Sequence, residues 1–111
     1  MSEPQRIDFA QLEWEDEAPG IRARATTLEE SRWAIVEYGP GVGREEWCTD
    51  GHRGWVVAGE IEYEFGDGHP PVRAAAGQAF RLPGGQAHRG RNLADGPTRL
   101  FLIDDPESAE K

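Results

Sequence analysis

A chain of 111 residues is the common size of one domain and too short for two. Its formal net charge of -9, from 21 acidic against 12 basic residues, leaves no basic patch for a phosphate backbone and excludes nucleic acid as a partner. No stretch approaches the roughly 20 apolar residues of a membrane helix, and the opening residues lack the basic and apolar runs of an export signal.

Further absences narrow the chemistry. Cys48 is the only cysteine, so no intramolecular disulfide forms, and the free thiol fits a reducing cytoplasm. Lys111 is the only lysine, and Ser31 is the only serine outside the two tails, which argues against a Schiff-base lysine or a serine triad. Metal or carboxylate chemistry remains. The 14 glycines and 8 prolines are spread along the chain, a pattern suited to short strands joined by turns.

In chain order, residues 1–20 are acidic, carry Pro4 and Pro19 and hold isolated apolar side chains at Ile7, Phe9, Leu12 and Trp14. They read as an arm laid over a single domain of residues 21–111. Ile21 to Thr27 and Trp33 to Tyr38 are predicted strands with a turn near Glu29-Glu30-Ser31. Trp55-Val56-Val57 reads as a buried-strand run that stops at Gly59. In Glu60-Ile61-Glu62-Tyr63-Glu64-Phe65 acidic and apolar residues alternate, so Ile61, Tyr63 and Phe65 share one face and the glutamates the other.

Gly66-Asp67-Gly68 offers the positive-φ positions of a tight turn, and Pro70-Pro71 lead into a return strand from Val72 to Ala75. Gln78 to Leu82 gives another strand, Pro83-Gly84-Gly85 a turn, and Thr98 to Ile103 a final strand before the acidic tail from Asp104 to Lys111. About eight short strands result, an all-β pattern that a jelly roll and an immunoglobulin-like sandwich share.

Motifs separate the two. Gly77-x5-Pro83-x-Gly85-x2-His88-x3-Asn92 resembles the second cupin motif at each fixed position, with His88 on a strand that points its imidazole into the barrel. The first cupin motif supplies His-x-His-x3 or 4-Glu, followed after six residues by glycine. With Gly59 at that glycine, His52 stands at the glutamate position, and the three-residue spacer puts the two histidine positions on Glu46 and Cys48. The four-residue spacer would put them on Glu45 and Trp47, and an indole has no lone pair for a metal.

The segment Val36 to Gly41 with Glu45-Glu46-Trp47-Cys48-x3-His52 also resembles small bacterial cupins that carry Asp-His-Trp-Cys, here Glu-Glu-Trp-Cys. The resemblance implies a cupin double-stranded β-helix, a jelly-roll barrel, with one metal ion near Glu46, Cys48, His52 and His88. Glu46 and Cys48 have the i, i+2 spacing that puts both on one face of a strand, and Glu45 is the alternative carboxylate if the register slips.

Mixed oxygen, sulfur and nitrogen donors suit zinc or iron(II), with nickel or copper as further candidates, over calcium or magnesium. Trp47, Tyr63 and Arg81 are candidate pocket residues, and His69 reads as a surface residue. No catalytic residue is assigned, although Glu45 or Glu46 could act as a general base. The resemblance implies dioxygenase, isomerase, epimerase or decarboxylase chemistry on a small polar molecule, and a homodimer formed through the outer sheet. The competing reading is a non-catalytic module that senses a small ligand or metal. Neither involves a nucleic acid or a membrane.

Overall fold

In a computed structural model that describes residues 3–104, nine strands form two antiparallel sheets that face each other across one core. The strands are β1 (Glu15–Ala18), β2 (Ile21–Leu28), β3 (Ser31–Tyr38), β4 (His52–Ala58), β5 (Glu60–Phe65), β6 (Val72–Ala75), β7 (Ala79–Leu82), β8 (His88–Asn92) and β9 (Thr98–Asp104). One sheet has the order β1-β2-β3-β9-β4-β7 and the other β6-β5-β8. A single 3-10 turn at Phe9–Gln11, capped by the Asp8 side chain, is the one helical element among the described residues. No helix among them is long and apolar enough to cross a membrane. The expected all-β jelly roll is therefore observed, and the part of the domain and acidic tail expected over 105–111 lies outside the described residues.

The core follows from strand alternation. On β3, Ala34, Val36 and Tyr38 turn inward and sit opposite Leu102, Leu100 and Thr98 of β9, and all six are buried. On β5 the inward row is Ile61, Tyr63 and Phe65, as the alternating sequence predicts. The outward glutamates meet arginines of the flanking strands, Glu62 with Arg73 and Arg91, and Glu64 with Arg89. Exposed pairs of this kind contribute little stability each, so the apolar row fixes the sheet.

Two expectations are corrected. Trp55-Val56-Val57 is not a buried run: Val56 is buried, but Trp55 and Val57 are each 48% exposed. Period-two alternation sends Trp55 outward beside Phe101 of β9, and an irregularity in the pairing between Val56 and Ala58 lets Val57 follow it. Residues 1–20 are also more than an arm, because Glu15–Ala18 pair with β2 as an edge strand. Before it, the Phe9 ring packs edge-on against Phe101, and Arg22 and Arg24 stack on Trp14.

The turns explain the spaced glycines. Gly59 joins β4 to β5 at φ +89°, and a Cβ there would stand 2.2 Å from the Thr98 hydroxyl, so both its conformation and its surroundings require glycine. Beyond β3 the chain has no regular strand, yet it runs back along β8. Backbone hydrogen bonds join Val42 to Asn92, Arg44 to Gly90 and Cys48 to His88. This irregular segment beside the smaller sheet carries Cys48, one residue of the site.

Candidate metal centre

Three elements bring Cys48, His52 and His88 together. Cys48 and His88 are direct antiparallel partners that exchange both backbone hydrogen bonds, at 2.8 and 2.9 Å, which puts their side chains on the same face. His52 opens β4, four residues after Cys48, and points inward between β7 and β9. One donor atom from each residue lies within 4.8 Å of the other two, and Cys48 Sγ is 3.7 Å from His52 Nε2. The sheet thus converges donors 40 residues apart in sequence.

The protonation of both imidazoles follows from their outer partners. His88 Nδ1 lies 3.1 Å from the Gln86 carbonyl oxygen, which can only accept, so Nδ1 donates and Nε2 is the nitrogen left to face the site. His88 is 2% exposed, and its buried Nε2 has no hydrogen-bond partner. His52 Nδ1 donates in the same way to Asp104 Oδ1 at 2.7 Å, which leaves its Nε2 facing Cys48. An acceptor behind each ring and a donor nitrogen in front is how metal-binding histidines are held. An orphaned buried nitrogen is costly unless something binds there, so the residues fit a cation.

The electrostatics agree with the geometry. The hydrogen bond from His52 and then the neighbouring His88 ring hold the Cys48 thiol down to about 6, against the opposing effect of burial, with help from the Asp50 backbone N–H. Burial disfavours charge on His52, but the Asp104 carboxylate and the Cys48 sulfur outweigh it and pull its pKa up to about 9. Burial likewise opposes charge on Asp104, and His52 and Arg32 keep it below the usual carboxylate range. Near neutral pH, a thiolate, a cation and a carboxylate stand in line.

A cavity of about 250 Å³ opens beside these donors, lined among others by Tyr38, Arg44, Glu46, Trp47, Tyr63 and Arg89. Glu46, the expected fourth ligand, lines the mouth and is exposed. It is not among the residues whose donor atoms cluster. Glu45 contributes its backbone carbonyl to Arg89. Trp47 and Tyr63 line the cavity, and the Arg89 guanidinium stacks 4.1 Å over the Trp47 ring. Arg81 does not line it: Phe80 and Leu82 take the inward positions of β7, and Arg81 is exposed on the outer face. His69 is exposed, as expected.

Other groups around the cavity were not singled out from sequence. Glu17 of β1 accepts from Arg44 Nη2 at 2.6 Å and also from Arg32. Arg32 Nη1 donates to Asp104 Oδ2 at 3.1 Å, and Arg44 Nε donates to the Tyr38 hydroxyl at 3.2 Å. The edge strand is thereby tied through Arg32 to the carboxylate that orients His52, and through Arg44 to the Tyr38 hydroxyl. Asp104 had a legible signal, because the inward row of β9 runs Thr98, Leu100, Leu102, Asp104. For Glu17 and Arg44, 27 residues apart, no sequence pattern announces the contact.

Comparison with known proteins adds the following. The sequence model of the Cupin domain family matches residues 34–104. No curated protein sequence matches the chain. The structure is similar to that of KdgF from Halomonas sp., with TM-score 0.74 and 19% identity over 98% of this chain and 100% of that one. It is also similar to a Cupin 2 conserved barrel domain protein from Salinispora arenicola CNS-205, with TM-score 0.69 and 18% identity over 97% and 92%. A third similar structure is Bacillus subtilis oxalate decarboxylase, which has Mn(II) centres, with TM-score 0.72 and 22% identity over 91% of this chain and 29% of that one.

Proposed function

This chain belongs to the cupin family, and we propose that it is a metal-dependent enzyme whose Cys48, His52 and His88 hold one divalent transition ion and which acts on a small polar molecule. The observation that carries the reading is His88 Nε2, buried, unpartnered and directed at the space that Cys48 and His52 also face. A thiolate with two imidazoles suits zinc or iron(II) over the hard oxygen-seeking cations. When bound, such an ion supplies a Lewis acid at the inner end of the cavity.

The other residues divide the remaining tasks. Asp104 holds His52 in its metal-facing orientation, and the Gln86 carbonyl does the same for His88. Trp47 and Leu102 give the cavity its apolar lining, and Tyr63, buried with its pKa pushed well up by desolvation, keeps its proton as a neutral hydrogen-bond donor. Glu46, exposed at the mouth, is not a ligand, because its carboxylate stands outside the donor group. The adjoining cavity favours catalysis over a closed binding module, since three protein donors leave positions for a substrate.

Within the cupin repertoire the reaction belongs to the dioxygenase, isomerase, epimerase or decarboxylase types. The free thiol of Cys48 supports a reducing compartment such as the cytoplasm. Two copies pair through the outer face of the larger sheet, where Trp55 and Val57 stand exposed beside Phe101. Elemental analysis of protein made without an affinity tag tests the metal assignment. About one zinc or iron per chain is expected, lost in His88→Ala and in Cys48→Ser. Unchanged metal content in both variants contradicts the proposal.

A further inference from the structure

Resting on that reading, we infer that the molecule bound beside the metal is a small monoanionic carboxylate, held by the Arg44 guanidinium and the Tyr38 hydroxyl. The first argument is charge. Around the cavity Arg32 and Arg44 are matched by Glu17 and Asp104, and Arg89 is matched by Glu64. The Cys48 thiolate then cancels half of a divalent ion. One positive charge is left over in a partly buried space, where an uncompensated charge is expensive. Glu46 and Asp50 are exposed at the rim, where solvent screens them. A monoanion closes the balance, a neutral molecule leaves it open and a dianion overshoots.

The second argument is the fixed geometry of the donors. Arg44 is gripped from two sides, by Glu17 at Nη2 and by Tyr38 at Nε, so its planar fork is oriented before anything binds, as carboxylate recognition requires. The Tyr38 hydroxyl accepts from Arg44 and so keeps its own proton to donate elsewhere. Residue 90 is a glycine, and a Cβ there would come within 3.3 Å of that hydroxyl and 2.8 Å of the Tyr63 ring. The absent side chain leaves the two tyrosines open to the cavity. A volume of about 250 Å³ limits the occupant to less than drug-like size.

Glycolate and its amide, glycolamide, have the same shape and differ in charge, so titrating both into cobalt(II)-loaded protein by calorimetry and by the visible cobalt spectrum isolates the claim. Glycolate should bind about tenfold or more tightly than glycolamide, and metal-free protein, which lacks the ion's charge, should bind neither. Arg44→Gln and Tyr38→Phe should each bring glycolate towards the amide's affinity while cobalt content stays at one per chain. Equal affinities, no glycolate binding to loaded protein, or undiminished binding in both variants overturns the inference and leaves the metal assignment standing. Failure of the protein to take up cobalt overturns both.

Discussion

The two ends of β8 carry buried polar side chains under opposite conditions. His88 and Asn92 lie on the same inward row, and each is 2% exposed. At the closed end, Asn92 Nδ2 reaches the carbonyls of Tyr38, Gly39 and Gly96, and its Oδ1 accepts from the Ala94 N–H and the Thr98 hydroxyl. At the open end His88 uses one nitrogen and leaves the other bare. Both residues belong to the same motif, yet a fully satisfied buried group specifies structure, whereas a half-satisfied one reserves capacity for a ligand. Burial alone does not distinguish them; the hydrogen-bond inventory does.

The comparison breaks first at Asn92. Replacing it with alanine removes these five hydrogen bonds and takes the acceptor from the Ala94 N–H, and should cost about 3 kcal/mol or more in denaturant unfolding. The folded fraction should bind metal as before. His88→Ala should do the reverse: it loses metal affinity by about 100-fold or more, while stability without metal changes far less. If both substitutions lowered stability equally and neither changed metal binding, the two ends would be alike and the contrast would fail.

A finer division lies between His52 and the carboxylate behind it. Asp104→Asn should lower metal affinity by about 10-fold to 100-fold without removing a donor atom, measured by competition with a chelator. The pH dependence follows from the signs of the two shifts. The Cys48 thiol, held down to about 6, is already ionised near neutrality, whereas His52, pulled up to about 9, must release its proton to bind. Calorimetry in buffers of different ionisation enthalpy should therefore read about one proton released per ion near neutral pH. Affinity should rise about tenfold per pH unit between 6 and 9, flatten above 9 and fall more steeply below 6, where the thiol is protonated as well.

The smallest expected effect lies far from either end. The turn from β2 to β3 holds Glu29 and Glu30 at φ 53° and 71°, a conformation that suits asparagine and glycine. Glu30→Gly should raise stability by about 1 kcal/mol and leave metal binding untouched, which thermal unfolding with and without metal reads directly.

Most strands were legible because their signals are local. The alternation in Glu60 to Phe65 and the glycine and proline punctuation around it needed no knowledge of partners, and the second motif put His88 in place. The run at Trp55 to Val57 misled because a continuous apolar stretch carries no period, so only the neighbouring strands decide which face each side chain takes. β1 was hidden for a different reason: Glu15-Asp16-Glu17-Ala18 has no strand propensity, and its pairing is imposed by β2, with Asp16 opposite Arg22. Cys48 and His52 emerged from motif register, but Asp104 was obscured by the acidic residues that follow it, although the inward row from Thr98 led to it.

The central claim is that one sulfur and two imidazole nitrogens share a single ion, and X-ray absorption at the metal edge of zinc-loaded protein examines those bonds directly. The account predicts one sulfur at about 2.3 Å and imidazole nitrogens at about 2.0–2.1 Å, with the sulfur contribution absent in Cys48→Ser. A shell of oxygen and nitrogen alone in the unaltered protein would contradict it.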